Sequence, residues 1–421
     1  MNDTIIIIGA GAAGLMAAKE LSSKQQTVIV LEADKRLGGR IYTLYDVFEK
    51  PVETGAEFIH GKLTLTHQLL KEANLSFHAT KGKMLNVENG EWKKQNDFTS
   101  GWDEVMHKME ELKEDTTVAA FLKENFSDKK YDALRDSVKN FAEGFDLADV
   151  EKASVFALRD EWSHEQGKQY RVDGGYQKII NYLADVCRKS GCIIHTSAIV
   201  KEVYWKKDEV KIVTSDNKIF YCSKVIVTVP VGVLQAELNA EAAIAFTPSL
   251  YDYFQAAKNI GYGTVTKILF QFDERFWNDD TGFILSDENI PVWWTQLPDD
   301  YPLITGWLNG AQSKKLRNND AASLLEDSLQ SLSNIFKINV PSLKQRLTAW
   351  HIEDWSKDRF ALGGYSYAMV QTANAKKILN TPIEQTIFFA GEALYKGAAP
   401  GTVEAAFVSG REAAQKVMRP S

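Results

Sequence analysis

Residues 4–34 read TIIIIGAGAAGLMAAKELSSKQQTVIVLEAD, and the order of residue types in this run decides the fold. Ile5 to Ile8 form a continuous apolar run, the composition of a strand covered on both faces. Residues 15–21 have helical character, and residues 27–31 return to an apolar strand. Gly9, Gly11 and Gly14 set G-x-G-x-x-G between the first strand and the helix, with Ala13 inside the motif. The first glycine permits the tight turn, the second lets the backbone approach a pyrophosphate, and the third allows close helix–strand packing. The helix N-terminus adds free N–H groups and the positive end of its dipole. Glu32 ends the second strand, at the distance where an acid accepts from a ribose diol. The whole unit predicts a Rossmann-like βαβ that holds an adenine dinucleotide.

Working outward, LGGRIYT at 37–43 brings two more glycines and Arg40 beside the first phosphate loop. Far away, FAGEALYKGAAPGTVEAA at 389–406 again sets Gly-Glu between an apolar strand and a helix. A chain that returns to its nucleotide domain from both ends points to FAD rather than NAD.

Between these ends the pattern alternates. Residues 65–162 read as helical and charge-rich with few strand signals. Strand character returns at 193–199, in a meander around the turn Ser215-Asp216-Asn217, and at 224–229 before Pro230. A mixed segment with a helix at 321–336 follows. The expected architecture is α/β: an FAD-binding Rossmann-like domain of the glutathione-reductase/hydroxybenzoate-hydroxylase type with an interleaved α+β substrate domain. The boundaries are 1–75, 171–247 and 362–421 for the FAD-binding segments, and 76–170 (mainly helical) and 248–361 for the substrate domain.

A chain of 421 residues is too long for one ordinary core, which agrees with two domains. Its net charge of −7 and lack of a basic block argue against nucleic acid as a partner. No apolar run reaches the ~20 residues of a membrane span. The N-terminus lacks the basic and small-residue signals of a secretory leader. Cys187, Cys192 and Cys222 have neither a metal-ligand spacing nor a disulfide pattern, so reduced thiols, no metal and a cytoplasmic location are expected.

One residue is out of keeping with its neighbours. In TVTKILFQFDERFW, 264–277, Lys267 sits among β-branched and aromatic residues. Either its stem is buried while its head reaches water, or the head is used inside the protein.

These motifs together resemble the flavin-containing amine oxidase family of monoamine oxidases, polyamine oxidases and histone lysine demethylases. The resemblance also includes GAEFIHG (55–61), RVDGGYQKI (171–179), VIVTVPVGVL (225–234) and DWSKDRFALGGYSY (354–367). It implies that Lys267 lies behind the flavin and reaches N5 through a water. It places Glu32 on the adenosine ribose, Arg40 near the phosphates, and the Val200 backbone against adenine. Gly55, Ala56, Glu57, Pro230 and Gly391 fall in cofactor-contacting motifs, and Glu392 accepts from a hydroxyl near the pyrophosphate and ribityl chain. Thr402 and Val403 approach the pyrimidine end of the ring, and Trp355 packs near the isoalloxazine.

The implied chemistry is oxidation of an amine by hydride transfer to N5. The imine is hydrolysed to an aldehyde, and O2 becomes H2O2. The partners are a small-molecule amine and O2. Lys267, Tyr365, Trp355 and Thr402 are the expected catalytic residues. Glu57, His60, Tyr365 and Thr402 are expected to meet substrate, with Glu57 accepting from a distal ammonium. Two departures stand out. Gly363-Gly364-Tyr365 lacks the attaching cysteine of monoamine oxidases, so FAD is expected to be noncovalent. Opposite Tyr365, where monoamine oxidases carry a second tyrosine, stands Thr402. This leaves a roomier, more polar pocket suited to polyamines, unless Trp293, Trp294 and Trp307 form an aromatic wall favouring arylalkylamines. The demethylase branch is disfavoured because the chain lacks a long helical tower insertion and a chromatin-recognition domain. The rival readings are an FAD-dependent desaturase or isomerase of the same superfamily, and a protein whose FAD is structural.

Overall fold

The computed structural model describes residues 3–93, 101–164, 167–309, 316 and 320–419. A five-stranded parallel sheet runs Ile193–His195, Val28–Leu31, Ile5–Ile8, Lys224–Val227, Ile387–Phe389. Every residue of the central strand, Ile5 to Ile8, is buried, because both faces of the sheet are covered. Ile5 and Ile7 face a core shared by the helices Ala12–Ser22, Gln177–Lys189 and Val403–Val417. Ile6 and Ile8 face a second core, against the four-stranded sheet Ile219–Cys222, Glu209–Thr214, Val200–Lys206, Ala245–Thr247. The expected meander at Ser215-Asp216-Asn217 is present as an antiparallel pair.

A seven-stranded mixed sheet runs Leu347–Asp354, Val265–Phe272, Leu303–Asn309, Val292–Thr295, Thr281–Ser286, Lys83–Glu88, Glu91–Lys93. Alternation along the Val265–Phe272 strand sorts its side chains. Ile268, Phe270 and Phe272 pack into a core with the helix Ala321–Phe336. Val265 and Leu269 join clusters on the opposite face, with Trp355 and with Leu44 and Val52 respectively. Lys267 shares that second face. The expected helix at 321–336 is observed with Asp320 as its N-cap.

Two local expectations are corrected. Residues 65–162 hold more strand than expected: Phe77–Ala79 joins a three-stranded sheet, and Lys83–Glu88 pairs with Glu91–Lys93 and Thr281–Ser286. The signal was Asn89-Gly90, both at positive φ, a hairpin turn between short strands. The strand expected at 193–199 ends at His195, because Ser197 takes φ +53° and the chain turns so that Ala198 N–H donates to the Glu32 carbonyl. The helices Trp102–Glu111, Val118–Asn125, Asp132–Gly144 and Val155–His164 form a separate cluster.

Candidate active site

A continuous cavity of about 1320 Å³ runs from the dinucleotide motif to the seven-stranded sheet. It exceeds the ~300–1,000 Å³ of a site for one small molecule, so it has room for more than one such group. At its nucleotide end the helix Ala12–Ser22 begins at Gly11, with no side chain capping it. The first N–H groups, including those of Ala12 and Ala13, therefore lack the usual internal partner where both residues line the cavity. A Cβ added at Gly11 would meet only the Gly38 carbonyl at 3.8 Å, so the space beside this backbone is open. Gly9 takes φ +106°. Gly14 does not line the cavity: a Cβ there would stand 1.9 Å from the Gly9 carbonyl, so its part is close packing behind the loop.

Glu32 is buried and oriented by the N–H groups of Ala10 (2.6 Å) and Asp34 (2.9 Å). Burial raises its pKa, against the lowering effect of those two donors. Val200, Pro230 and Gly391 line the same end. Arg40 Nη1 donates to the Gly364 carbonyl (2.7 Å) and to Glu392 Oε1 (2.9 Å), and Ser366 Oγ donates to Glu392 Oε2 (2.6 Å). Each of these features fits an adenine dinucleotide: an uncapped helix end and open glycine for phosphate, a fixed acid for ribose, and a cation nearby.

Toward the other end, Trp355 is buried, with its indole N–H on the Thr54 carbonyl (2.8 Å) and its ring against Gly55. Gly55, Ala56, Val403 and Thr402 line the wall beside it. Thr402 caps the last helix: its hydroxyl accepts from Ala405 N–H and donates to the Ala399 carbonyl. Its hydroxyl is thus taken up in the helix cap, while the residue lines the cavity together with Tyr365. Tyr365 packs against Gly401, and its hydroxyl donates to the Phe145 carbonyl.

Lys267 is 1% exposed, so its head does not reach the bulk solvent outside the protein. Nζ donates to Glu57 Oε2 at 2.6 Å and to the Gly55 carbonyl at 3.2 Å, with the Trp294 ring centroid 5.4 Å away. Glu57 corrects an expectation. Its Oε1 accepts from Arg171 Nε (2.7 Å) and Trp294 Nε1 (3.1 Å), so the carboxylate is engaged within the chain rather than presented to a distal ammonium. Burial pushes its pKa up, but the Lys267 and Arg171 charges outweigh this and hold it below the usual value. Glu53, also buried, is pushed up to about 7 by desolvation, against Tyr176 N–H and the charge of Lys267. His60 lines the cavity, and burial lowers its pKa to about 4, so the imidazole is neutral near pH 7.

The end of the cavity away from the glycine motif is aromatic. Phe58 lies 5.9 Å from Phe283 and 5.6 Å from Trp294, and Trp294 lies 5.8 Å from Trp307 (ring centroids). Trp293 does not take part: strand alternation turns it into the core on the other face. Trp294 and Trp307 thus line the cavity with Phe58 and Phe283, alongside polar lining residues such as Asn86, Asn140 and Gln169. Arg171 and Phe58 went unassigned in the sequence, although both lie in the motifs RVDGGYQKI and GAEFIHG. Nothing in those motifs signals the Arg171–Glu57 contact, which spans 114 residues.

The family model for flavin containing amine oxidoreductases matches residues 12–418. The chain belongs to this family. Membership implies a flavin cofactor, which agrees with the dinucleotide-binding end of the cavity. Among relatives of this flavin amine oxidoreductase, human lysine-specific histone demethylase 2 is 27% identical, over 99% of this chain and 53% of the relative. Polyamine oxidase 3 of Oryza sativa subsp. japonica is 26% identical, over 98% of this chain and 88% of the relative. The chain thus spans about half the length of that demethylase, and 30% of lysine-specific histone demethylase 1 homolog 3 of Arabidopsis thaliana. Putrescine oxidase bound to putrescine shares the fold, with TM-score 0.83 at 19% identity and 99% coverage of both chains. Cyclohexylamine oxidase from Brevibacterium oxydans gives TM-score 0.81, also at 19% identity and 99% coverage of both chains. Among the described residues no helix is long and apolar enough to cross a membrane.

Proposed function

We propose that this chain is an FAD-dependent oxidase of small-molecule amines, with the cofactor held noncovalently. The observation that carries the reading is Lys267: a buried ammonium on the cavity wall, beside Gly55 and Trp294, where the nucleotide end meets the aromatic end. FAD bound there supplies the hydride acceptor and the O2-reactive centre, so that an amine becomes an imine, then an aldehyde, and O2 becomes H2O2. The uncapped helix at Gly11 and the acid Glu32 would hold its phosphates and ribose, and Trp355 backs the wall at Gly55.

The other steps belong to side chains. Phe58, Phe283, Trp294 and Trp307 exclude water from the substrate, and a dry wall favours the neutral amine, whose lone pair the oxidation needs. Tyr365, fixed through its hydroxyl to Phe145, forms one side of the substrate's path. His60 contributes a neutral ring rather than a positive charge that would repel an ammonium. The aromatic wall supports primary amines with an apolar or aryl body. A second reading, diamines or polyamines, is supported by two cavity-lining side chains with buried, unpartnered acceptors, Asn86 Oδ1 and Gln169 Oε1. Peroxide release across a panel of arylalkylamines, alkylamines and polyamines tests both. A desaturase or a protein with structural FAD would release none with any amine.

A further inference from the structure

Resting on the amine-oxidase reading, we propose that Glu57 is a positioning residue for Lys267. Clamped by Arg171 and Trp294, its carboxylate fixes the lysine ammonium at the cavity wall. Burying three charged groups together is costly unless each is paired and oriented. Here each is. Arg171 is anchored first: its two terminal nitrogens donate to the Leu297 carbonyl (3.2 Å) and the Thr295 carbonyl (3.0 Å). Its Nε then holds Glu57 Oε1 at 2.7 Å, with Trp294 Nε1 on the same oxygen at 3.1 Å. Oε2 is left to face Lys267, at 2.6 Å.

A lysine side chain is flexible, and its ammonium has three donors. Glu57 and the Gly55 carbonyl take two of them among the described residues. The third is taken by no hydrogen bond among the described residues, and Lys267 lines the cavity. The anchored guanidinium thus turns a flexible cation into a donor with one fixed direction. The same engagement explains why Glu57 is poorly placed to receive a substrate's distal ammonium. Two cations share this carboxylate, so the Arg171–Glu57 pair stays neutral without Lys267.

The test uses flavin-loaded protein carrying nitrogen-15 lysine, with the Lys267 ammonium resonance assigned by its absence in Lys267→Met. In Glu57→Gln this resonance should vanish or move, because the ammonium loses its partner. In Glu57→Asp it should persist at a shifted position, which keeps the test valid if the Gln variant folds poorly. Kinetically, Glu57→Gln should slow flavin reoxidation by O2 about tenfold, with KM for an amine changed less than about twofold. Added to Lys267→Met, it should cause no further slowing, because the two residues act as one unit. An unmoved resonance in Glu57→Gln, an equal slowing in the Lys267→Met background, or a rise in KM confined to diamines would each overturn the proposal. If no amine reduces the flavin of any variant, the amine-oxidase reading fails. The resonance still decides whether Glu57 holds Lys267.

Discussion

Arg40 Nη1 lies 2.9 Å from Glu392 Oε1, joining positions 352 residues apart across the nucleotide end of the cavity. Glu392 is 5% exposed and also takes the Ser366 hydroxyl, so the first and last nucleotide-binding motifs meet on one carboxylate. Arg40→Met leaves that carboxylate with Ser366 alone. Because Arg40 is about a quarter exposed, the loss should be smaller than for a fully buried pair, about 2 kcal/mol. Thermal unfolding measures it. Glu392→Gln should cost less, since the amide oxygen still accepts from Ser366 or Arg40.

Gly11 and Gly14 should respond to alanine in different ways. At Gly14 the new methyl would sit 1.9 Å from the Gly9 carbonyl, so the variant should unfold at lower temperature even without flavin. At Gly11 the nearest atom is 3.8 Å away, so the flavin-free protein should keep its stability. The methyl instead fills the space assigned to the pyrophosphate, and FAD affinity should fall at least about tenfold. Unfolding scans and flavin titrations separate the two effects.

Glu53 gives a pH dependence with a definite sign. Its folded pKa of about 7 lies above the ordinary value of 4.5, so the folded state holds an extra proton between them. The stability linked to that proton is present below about pH 4.5 and lost as pH rises through about 7. Glu53→Gln removes the titration. Its stability relative to wild type should therefore improve by up to about 3 kcal/mol between about pH 5 and about pH 8, read by thermal unfolding across that range.

Flavin attachment has a direct check. Tyr365, after Gly363-Gly364, stands where the attaching cysteine is expected, and Cys187, Cys192 and Cys222 are buried away from the cavity lining. Acid or heat should release the yellow chromophore into the supernatant. Flavin that stays with the precipitated chain would show a covalent link at another side chain.

Local chemistry made parts of the molecule legible in advance. The run of isoleucines, the spaced glycines and Glu32 specify a strand, a turn and an acid whose positions depend on near neighbours, and the structure places them so. Lys267 was conspicuous because one charge stood in an apolar strand, but its partner was not visible. Glu57 lies 210 residues away, and only the tertiary fold brings them together. Trp293 and Trp294 look alike in sequence, and strand register alone sends one into the core and the other into the cavity. The Lys83–Lys93 hairpin was missed because charged and polar residues mask its alternation, leaving Asn89-Gly90 as the remaining cue.

Amine-driven reduction of the flavin tests the central claim most directly. Flavin-loaded protein is mixed anaerobically with an arylalkylamine or a diamine in a stopped-flow instrument, then exposed to oxygen. The visible flavin absorbance should be lost with the amine and return with O2 as peroxide forms. Lys267→Met should fold, because volume is nearly conserved and Arg171 still balances Glu57. It should slow one or both phases by ~10²–10³, the usual cost of one preorganised charge. A flavin that stays oxidised with every amine, or a Lys267→Met variant within about threefold of wild type in both phases, would contradict the claim.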